Sequence, residues 1–318
     1  MNRPRPALPP PARAVTIARV HTERPSATAR LIAQSTVFLS RDPDTARLLP
    51  EGAAAWCEAL LAASAPLAAE AARTWSLPPG RWLVQLAERL ALPGIQAHYA
   101  ARKRFIEDAA RAFLAQGGTQ AVVIGAGLDT LAPRLAARFA RANFVEIDHP
   151  ATQRDKRLGL DGRAPVNLRL VPADLSREPL AHVLARVPGL QTRARTFFAI
   201  EGLTMYLSAE AVSDLLRACA DGSAPGSRVA WTFMEPDPEG RVAFRGSRRG
   251  LVNRWLARRS EPFTWGVARE GVSALVAPLG WRVVEIADAP VLRTRYLEPL
   301  GLALRLAEGE AICLCEKP

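Results

Sequence analysis

The sequence predicts an α/β fold in which a doubly wound, Rossmann-like sheet of seven mostly parallel strands follows an N-terminal helical cap. Apolar residues recur with helical spacing through residues 26–116, before any apolar strand occurs. Short apolar runs then alternate with helical segments, an order typical of parallel strands joined by helices. Two glycines at the end of the first run indicate a turn at which a ligand can approach the backbone.

The predicted organisation has three parts. Residues 1–25 are rich in proline and arginine and lack apolar periodicity, so they are predicted to be a disordered N-terminal segment. Residues 26–116 form the helical cap, and residues 117–318 form the ligand-binding domain, with a cap insertion at about 236–262. Within the helical cap, Pro66 is predicted to break a long alanine-rich helix. A separate helix predicted over Arg81–Leu92 carries an apolar stripe of Trp82, Leu83, Leu86 and Leu90.

The parallel part of the sheet is predicted from five apolar runs separated by helical segments. These strands are 120–124, 142–147, 167–171, 195–200 and 227–233. The helices between them are 129–140, 149–160, 179–186 and 208–220. After Met234 the order changes to a helix over 263–279, a strand over 281–286, a helix over 292–306 and a strand over 311–315. The two late strands complete the sheet of seven.

Gly125 and Gly127 follow the first strand and open a helical segment. Because Gly-x-Gly also occurs in ordinary strand-to-helix turns, its meaning depends on the next strand. That strand ends in Glu146 and Asp148, at roughly the 20-residue step where an acid binds the ribose hydroxyls of a nucleotide. Thr130 replaces the third glycine, which would pack a helix beside a pyrophosphate. The pattern disfavours NAD and favours a cofactor with one nucleoside and no pyrophosphate, namely S-adenosyl-L-methionine.

The third and fourth strands also end in polar residues, at the sheet edge where parallel strands bind ligands. Asp174 and Leu175 follow the third strand, where the acid can accept from an adenine amino group and the leucine can pack on the ring. Asp174 can equally be the N-cap of the following helix. Glu201 ends a wholly apolar strand, and a carboxylate there is costly unless it meets a partner. All three are therefore predicted site residues.

Composition excludes several classes of protein. The chain of 318 residues is 49% hydrophobic, and it has no uncharged apolar run of about 18 residues, so no membrane span is predicted. It shows no signal-peptide pattern, and four scattered cysteines do not make a disulfide framework or a metal site, which favours a cytoplasmic protein without a metal. The net charge of +11 suggests nucleic acid as a partner, but the aromatic residues are not interleaved with the arginines, which disfavours that partner.

Five motifs occur in order along the chain. They are Ala101–Asp108, Gly125–Thr130, Val145–Pro150, Ala173–Leu175 and Glu201–Leu207. Together they resemble the leucine carboxyl methyltransferase family, including its bacterial branch of S-adenosyl-L-methionine-dependent O-methyltransferases. The resemblance covers about residues 26–234 and extends loosely over the rest of the chain. It implies the seven-stranded sheet of class I methyltransferases.

The resemblance also implies cofactor-binding roles for seven residues. Arg102 matches the arginine that binds the carboxylate of the cofactor, and Glu201 matches the acid near its sulfonium or amino group. The other matches are Gly125 and Gly127 beside the methionine part, Asp148 at the ribose, and Asp174 with Leu175 at the adenine. The N-terminal helix of the family adds a basic or threonine contact, for which the candidates are Thr28 and Arg30.

The implied reaction is methyl transfer to an oxygen of a small-molecule acceptor from a biosynthetic pathway. That oxygen can belong to a carboxylate or to a phenol or alcohol. His98, His149 and His182 are isolated in the sequence and are predicted to be structural or solvent-facing, so no catalytic residue is assigned. A carboxylate needs no general base, and this favours a carboxylate or an already ionised phenol. The oligomeric state is left open.

Several alternatives stay open beside this interpretation. Members of the family also act on protein C-terminal carboxylates and on RNA, and a non-catalytic nucleic-acid-binding protein can keep the same fold. An NAD-dependent oxidoreductase is disfavoured because Tyr206 lacks the lysine of a Tyr-x-x-x-Lys pair. The arginine-rich segment 241–260 is predicted to be either a solvated amphipathic helix or a lid that orients an anionic acceptor.

Overall fold

The computed structural model of the protein describes residues 27–246 and 263–318. The predicted disordered segment, 1–25, lies outside the described residues. So does most of the arginine-rich segment, of which only 241–246 are described. Neither prediction is tested by the structure.

From residue 27 onward, where the structure describes the chain, six helices precede the first strand. They are α1 (Ala27–Ser40), α2 (Pro43–Ala46), α3 (Ala53–Ser64), α4 (Pro66–Trp75), α5 (Pro78–Ala91) and α6 (Ile95–Ala115). Pro66 separates α3 from α4, as the sequence predicts, because proline fits the first turn of a helix and not its interior. Gly94 precedes α6 with a left-handed φ of 81°, which lets the chain turn sharply between α5 and α6. The short helix α2 was not predicted, and Asp42 caps it.

The apolar stripe of α5 does not pack into the core. No residue of α5 is buried, and Trp82 keeps 61% of its accessible surface. In contrast, α6 buries Phe105, Phe113 and their neighbours against the sheet. Both helices carry a stripe of apolar residues, and their positions in the fold decide that only the stripe of α6 is buried.

The sheet has seven strands in the order β3-β2-β1-β4-β5-β7-β6. The strands are β1 (Gln120–Ile124), β2 (Asn143–Asp148), β3 (Leu168–Pro172), β4 (Thr196–Ile200), β5 (Arg228–Met234), β6 (Arg282–Ala287) and β7 (Glu310–Glu316). The first five are parallel, and β7 runs antiparallel to both β5 and β6. The helices α7 (Leu131–Arg138), α8 (Pro150–Leu160), α9 (Leu180–Ala185) and α10 (Ala209–Asp221) connect the parallel strands. The predicted mostly parallel sheet of seven strands is confirmed.

Both faces of the sheet are covered, which explains the continuous apolar runs. Every residue of β1 and of β4 is buried. Along β1, Val123 packs on the side of α6, and Val122 packs on the opposite side with α9 and α10. The strand order reverses between β1 and β4, because β2 and β3 lie on one side of β1 and β4 and β5 on the other. Open α/β sheets bind ligands at the carboxyl ends of their strands beside such a reversal.

The C-terminal helices are shorter than predicted. The predicted helix over 263–279 begins only at Arg269 and contains the α-helix α11 (Val272–Val276) between two 3₁₀ turns. The predicted helix over 292–306 begins earlier, at α12 (Ala289–Leu292), and ends at Leu300. Gly301, with a φ of 67°, takes the left-handed conformation that ends helices. Within the described residues, no helix combines the length and apolar character that a membrane crossing requires.

Candidate functional site

A cavity of about 680 Å³ lies at the carboxyl ends of β1 to β4, with α1 and α6 forming part of its wall. All seven predicted cofactor-binding residues line it. They are Arg102, Gly125, Gly127, Asp148, Asp174, Leu175 and Glu201. Thr28 of α1 also lines the cavity, whereas Arg30 binds Asp155 of α8 at 3.1 Å. Five separate segments of the chain therefore meet at one site.

The turn after β1 keeps its backbone close to neighbouring elements. Gly125 and Gly127 have positive φ values of 69° and 49°, which favour glycine. A Cβ on Gly125 would lie 3.1 Å from Leu203, and one on Gly127 would lie 3.0 Å from Ala29. At both positions, a residue other than glycine would adopt an unfavourable backbone conformation, and its Cβ would lie close to a neighbouring side chain. Side chains at either glycine would therefore narrow the cavity at this turn.

Asp148 connects the end of β2 to the glycine turn. Its two oxygens accept hydrogen bonds from the backbone N–H groups of Gly127 and His149, each at 2.6 Å. Burial raises the pKa of Asp148, and these two N–H donors oppose the rise. The carboxylate is therefore held in a defined orientation at the rim of the cavity.

Glu146, the other acid of this strand, lies away from the cavity. It is fully buried, and its Oε2 is 2.7 Å from Nζ of Lys156, which is also fully buried. Burial raises the pKa of Glu146 to about 7, although Lys156 opposes this. Lys156 also donates to the backbone carbonyl of Asp129 in the glycine turn. Glu146 therefore supports the glycine turn indirectly, through Lys156. Asp148 is the acid of this strand that lines the cavity.

Asp174 forms a local turn rather than capping the next helix. Its Oδ1 accepts from the backbone N–H of Ser176 at 3.0 Å and from the Ser176 hydroxyl at 2.5 Å. The helix α9 begins later, at Leu180, with Pro179 at its N-cap position. The alternative of a helix N-cap is therefore not what the structure shows, and Asp174 remains at the cavity wall beside Leu175.

Arg102 lies at the centre of a buried network of charges. Its side chain is 2% exposed, and it binds Glu201 on one edge and Glu310 of β7 on the other. Lys103 lies 3.0 Å from the same Glu201 and also forms an ion pair with Asp129. Glu201 thus has the partners that its position at the end of an apolar strand requires.

Sequence reasoning missed Lys103, Asp129 and Glu310 as residues of this cavity. Lys103 and Asp129 lie inside two of the five motifs, directly beside or close to predicted site residues. Glu310 begins a strand that is otherwise apolar, which is the same signal that identified Glu201. His98, which is predicted to be structural or solvent-facing, is buried and lies with its Nε2 2.9 Å from Oε2 of Glu310. His149 accepts a hydrogen bond from the Ala151 N–H and caps α8.

The described lining of the cavity carries more acidic than basic side chains. Its eight carboxylates belong to Asp129, Asp148, Asp174, Glu178, Glu201, Asp214, Asp221 and Glu310. Its four basic residues are Arg102, Lys103, Arg177 and Arg217. Burial opposes ionisation of Glu310, but the charges and hydrogen bonds of Arg102 and His98 together outweigh it and lower the pKa of Glu310 to about 2. The same balance, with Lys103 as the main cation, lowers the pKa of Asp129.

This excess of acid distinguishes between cofactors. A pyrophosphate would meet net repulsion in such a cavity, whereas the sulfonium and ammonium groups of S-adenosyl-L-methionine would be attracted. The arrangement of Arg102 between carboxylates also provides a cation for the carboxylate of an amino acid. The residues present therefore fit S-adenosyl-L-methionine. Among the described residues, no group of three or more His, Cys, Asp or Glu side chains could hold a metal ion.

Comparisons with known proteins show which family and which fold this chain resembles. The sequence profile of the leucine carboxyl methyltransferase family matches residues 26–220. A protein of Mycobacteroides abscessus, provisionally named an S-adenosyl-L-methionine-dependent methyltransferase, is 37% identical over 49% of this chain and 50% of its own length. A provisionally named methyltransferase of the same kind from Mycobacterium avium is 32% identical over 67% of this chain and 69% of its own length. The chain thus spans about half the length of the first relative.

Two solved structures share the fold. A protein of the DUF574 family from Streptomyces avermitilis has a TM-score of 0.56 at 16% identity, covering 82% of this chain and 96% of that one. A provisionally named methyltransferase from Thermobifida fusca has a TM-score of 0.52 at 19% identity, covering 75% of this chain and 88% of that one. At these identities the likeness concerns the fold alone.

Proposed function

Because the chain belongs to the leucine carboxyl methyltransferase family, we propose that it is an S-adenosyl-L-methionine-dependent O-methyltransferase acting on a small-molecule acceptor. The observation that supports this most directly is the convergence of five chain segments on one acid-rich cavity. A cavity of this kind favours a cationic nucleoside cofactor over a dinucleotide. A small acceptor is favoured because it can enter the remainder of the cavity.

We assign the cofactor-binding residues from the family resemblance, and the assignment is supported by their common position in the lining of the cavity. Asp174 and Leu175 would hold the adenine, and Asp148 would accept hydrogen bonds from the ribose hydroxyls. The glycine turn would accommodate the methionine part. Arg102 would bind the carboxylate of the cofactor in a two-pronged contact, and Glu201 would bind its ammonium group. The assignments of Asp174, Asp148, Arg102 and Glu201 place each side chain opposite a group of complementary charge or hydrogen-bonding capacity.

The cofactor, when bound, supplies an electrophilic methyl group that moves to the acceptor oxygen while the electron pair of the broken C–S bond returns to sulfur. The contribution of the chain is alignment of the two reactants and exclusion of water. The buried ion pairs of Arg102 and Lys103 hold both cations at the cavity before the cofactor binds, since each cation has two carboxylate partners. A carboxylate acceptor has no proton to lose, whereas a hydroxyl acceptor would have to arrive already ionised, as an acidic phenol can, or give its proton to a general base.

Two measurements test this proposal. Calorimetric titration should show binding of S-adenosylhomocysteine and no comparable binding of NAD. Methyl transfer from deuterium-labelled S-adenosyl-L-methionine is then followed by mass spectrometry on a panel of carboxylic acids, phenols and alcohols. Mild alkali releases methanol from a methyl ester and leaves an ether intact, which identifies the type of oxygen.

The same assay includes peptides with free C-termini and transfer RNA. Transfer only to a peptide carboxylate or only to RNA would replace the small-molecule acceptor with the corresponding macromolecule. Binding of NAD without binding of S-adenosylhomocysteine would refute the cofactor assignment itself.

A further inference from the structure

Glu310 is the most deeply buried of the eight acidic residues that line the cavity, and it belongs to β7, the last strand in the chain. Its side chain has no accessible surface, and it begins β7 beside the end of β5. Nη1 of Arg102 donates to both of its oxygens, at 2.8 and 2.7 Å. Nε2 of His98 lies 2.9 Å from one of these oxygens. Because a carboxylate only accepts, Nε2 is the nitrogen that carries the proton.

The opposite edge of Arg102 is held in a different way. Its Nε and Nη2 both donate to one oxygen of Glu201, at 3.1 and 2.6 Å. Two parallel donors on one edge of a guanidinium match the two oxygens of a carboxylate, one donor to each oxygen. Glu201 uses a single oxygen for both donors, and its side chain is 12% exposed and shared with Lys103. This edge therefore lies on the side of the cavity and is not matched in a bidentate manner.

From these two edges we propose that Glu310 is a positioning residue for cofactor binding. It holds the Nη1 edge of Arg102 so that the Nε–Nη2 edge stays directed at the cavity, where the carboxylate of the cofactor takes it from Glu201. Glu201, once released, turns to the ammonium group of the same amino acid. The inference rests on the proposed function, because it requires a cofactor with an amino acid part.

The surroundings of Arg102 explain why a second carboxylate is needed. A guanidinium that is 2% exposed would be severely destabilised if its only partner were a residue that changes partners. Glu310 provides a partner that does not change, and Tyr99 covers the face of the guanidinium with its ring centroid 4.7 Å from Cζ. His98 in turn fixes the orientation of Glu310. Arg102 can therefore exchange Glu201 for the carboxylate of the cofactor on one edge, while Glu310 continues to balance its charge on the other.

The test compares two ligands on the full chain. S-adenosylhomocysteine carries the amino acid part, whereas 5′-methylthioadenosine keeps the adenosine and the sulfur and lacks the amino acid. In the Glu310→Gln variant, we expect calorimetry to show a loss of about 10- to 100-fold in affinity for S-adenosylhomocysteine, by analogy with the loss of the outer partner of a metal-binding side chain. Affinity for 5′-methylthioadenosine should remain that of the wild type.

Glu316→Gln is the matched control, since Glu316 lies on the same strand, binds Arg228 at 3.0 Å and does not line the cavity. It should change neither affinity. Equal weakening of both ligands in Glu310→Gln would indicate a purely structural role, and unchanged affinity for both would exclude any role; either result overturns the inference. If Glu310→Gln does not fold, Glu310→Asp, which withdraws the charge by one methylene, is compared in the same way.

The outcome for the wild-type chain separates this inference from the proposed function. A wild-type chain that binds neither ligand contradicts the proposed function. A wild-type chain that binds both, together with a variant that fails to distinguish them, contradicts only the role of Glu310.

Discussion

At the scale of single residues, the protein buries charge where it needs fixed geometry. Lys156 and Glu146 are both fully buried, and Lys156 also supports the carbonyl of Asp129 in the glycine turn. A buried ion pair contributes little net stability, but removing one partner leaves an uncompensated charge. The pair therefore constrains the turn more than it stabilises the fold.

Replacing Lys156 with methionine should lower the free energy of unfolding by about 3–5 kcal/mol, because Glu146 then loses its only ion-pair partner among the described residues. Urea unfolding at about pH 9, above the pKa of about 7 of Glu146 in the wild type, measures the change. The double variant Lys156→Met with Glu146→Leu should recover most of the loss. A double variant as unstable as the single one would contradict the assignment of the loss to unpaired charge.

Glu310 should give the protein an acid-sensitive contribution to stability. Its pKa is lowered from 4.5 to about 2 in the folded chain, so its contribution is present above pH 4.5 and is lost as the pH falls toward 2. Urea unfolding at a series of pH values should show that the wild type loses on the order of 3 kcal/mol more than Glu310→Gln over this range. Parallel pH profiles of the two proteins would contradict a lowered pKa.

Gly127 should be required both for stability and for cofactor binding. Alanine there would place a Cβ 3.0 Å from Ala29 at a φ of 49°, whereas alanine at Gly162, with a φ of 65°, would meet nothing within 4 Å. Each substitution should cost about 1–2 kcal/mol through its left-handed backbone. Only Gly127→Ala should also weaken S-adenosylhomocysteine binding in calorimetry. Equal binding by the two variants would show that the turn does not contact the ligand.

At the scale of elements, similar helices differ in what they contact. α5 and α6 each carry an apolar stripe, but α5 buries none of its residues whereas α6 packs along the sheet. Intrinsic helix formation and apolar periodicity are local properties, so the sequence predicted both helices. Which stripe meets the core depends on the packing of neighbouring elements. Similarly, Gly301 ended a helix that apolar spacing alone extended to residue 306.

Two matched leucine substitutions test whether α5 is exposed, by comparing it with the buried helix α3 of the same helical cap. Leu60 on α3 is fully buried, and Leu90 on α5 keeps 48% of its accessible surface. Leu60→Ala should lower the free energy of unfolding by about 2–5 kcal/mol, and Leu90→Ala should stay within about 0.5 kcal/mol of the wild type. Denaturant unfolding measures both. A large loss in Leu90→Ala would show that α5 is covered in solution.

At the scale of the whole molecule, the chain and its cavity carry opposite charge. The net charge of the chain is +11, yet the described cavity lining contains twice as many acidic as basic residues. A basic surface attracts polynucleotides without specificity, and such binding weakens steeply with salt. The acid-rich cavity instead selects a cationic ligand.

We therefore expect any binding of a fluorescently labelled oligonucleotide to vanish as salt is raised and to be unaffected by saturating S-adenosylhomocysteine. Fluorescence anisotropy measures both responses. Salt-resistant binding that S-adenosylhomocysteine displaces would instead support RNA as the acceptor.

The sequence by itself determined the sheet, the glycine turn and the residues at the ends of β1 to β4. Those features arise from short stretches of chain, whose apolar runs and polar ends can be recognised locally. Only the tertiary structure decided which charged side chains form ion pairs. Arg102 and Glu310 are separated by 208 positions in the sequence, yet Nη1 of Arg102 lies 2.7 Å from Oε2 of Glu310. Local sequence shows that a buried charge needs a partner, but packing of distant elements selects that partner.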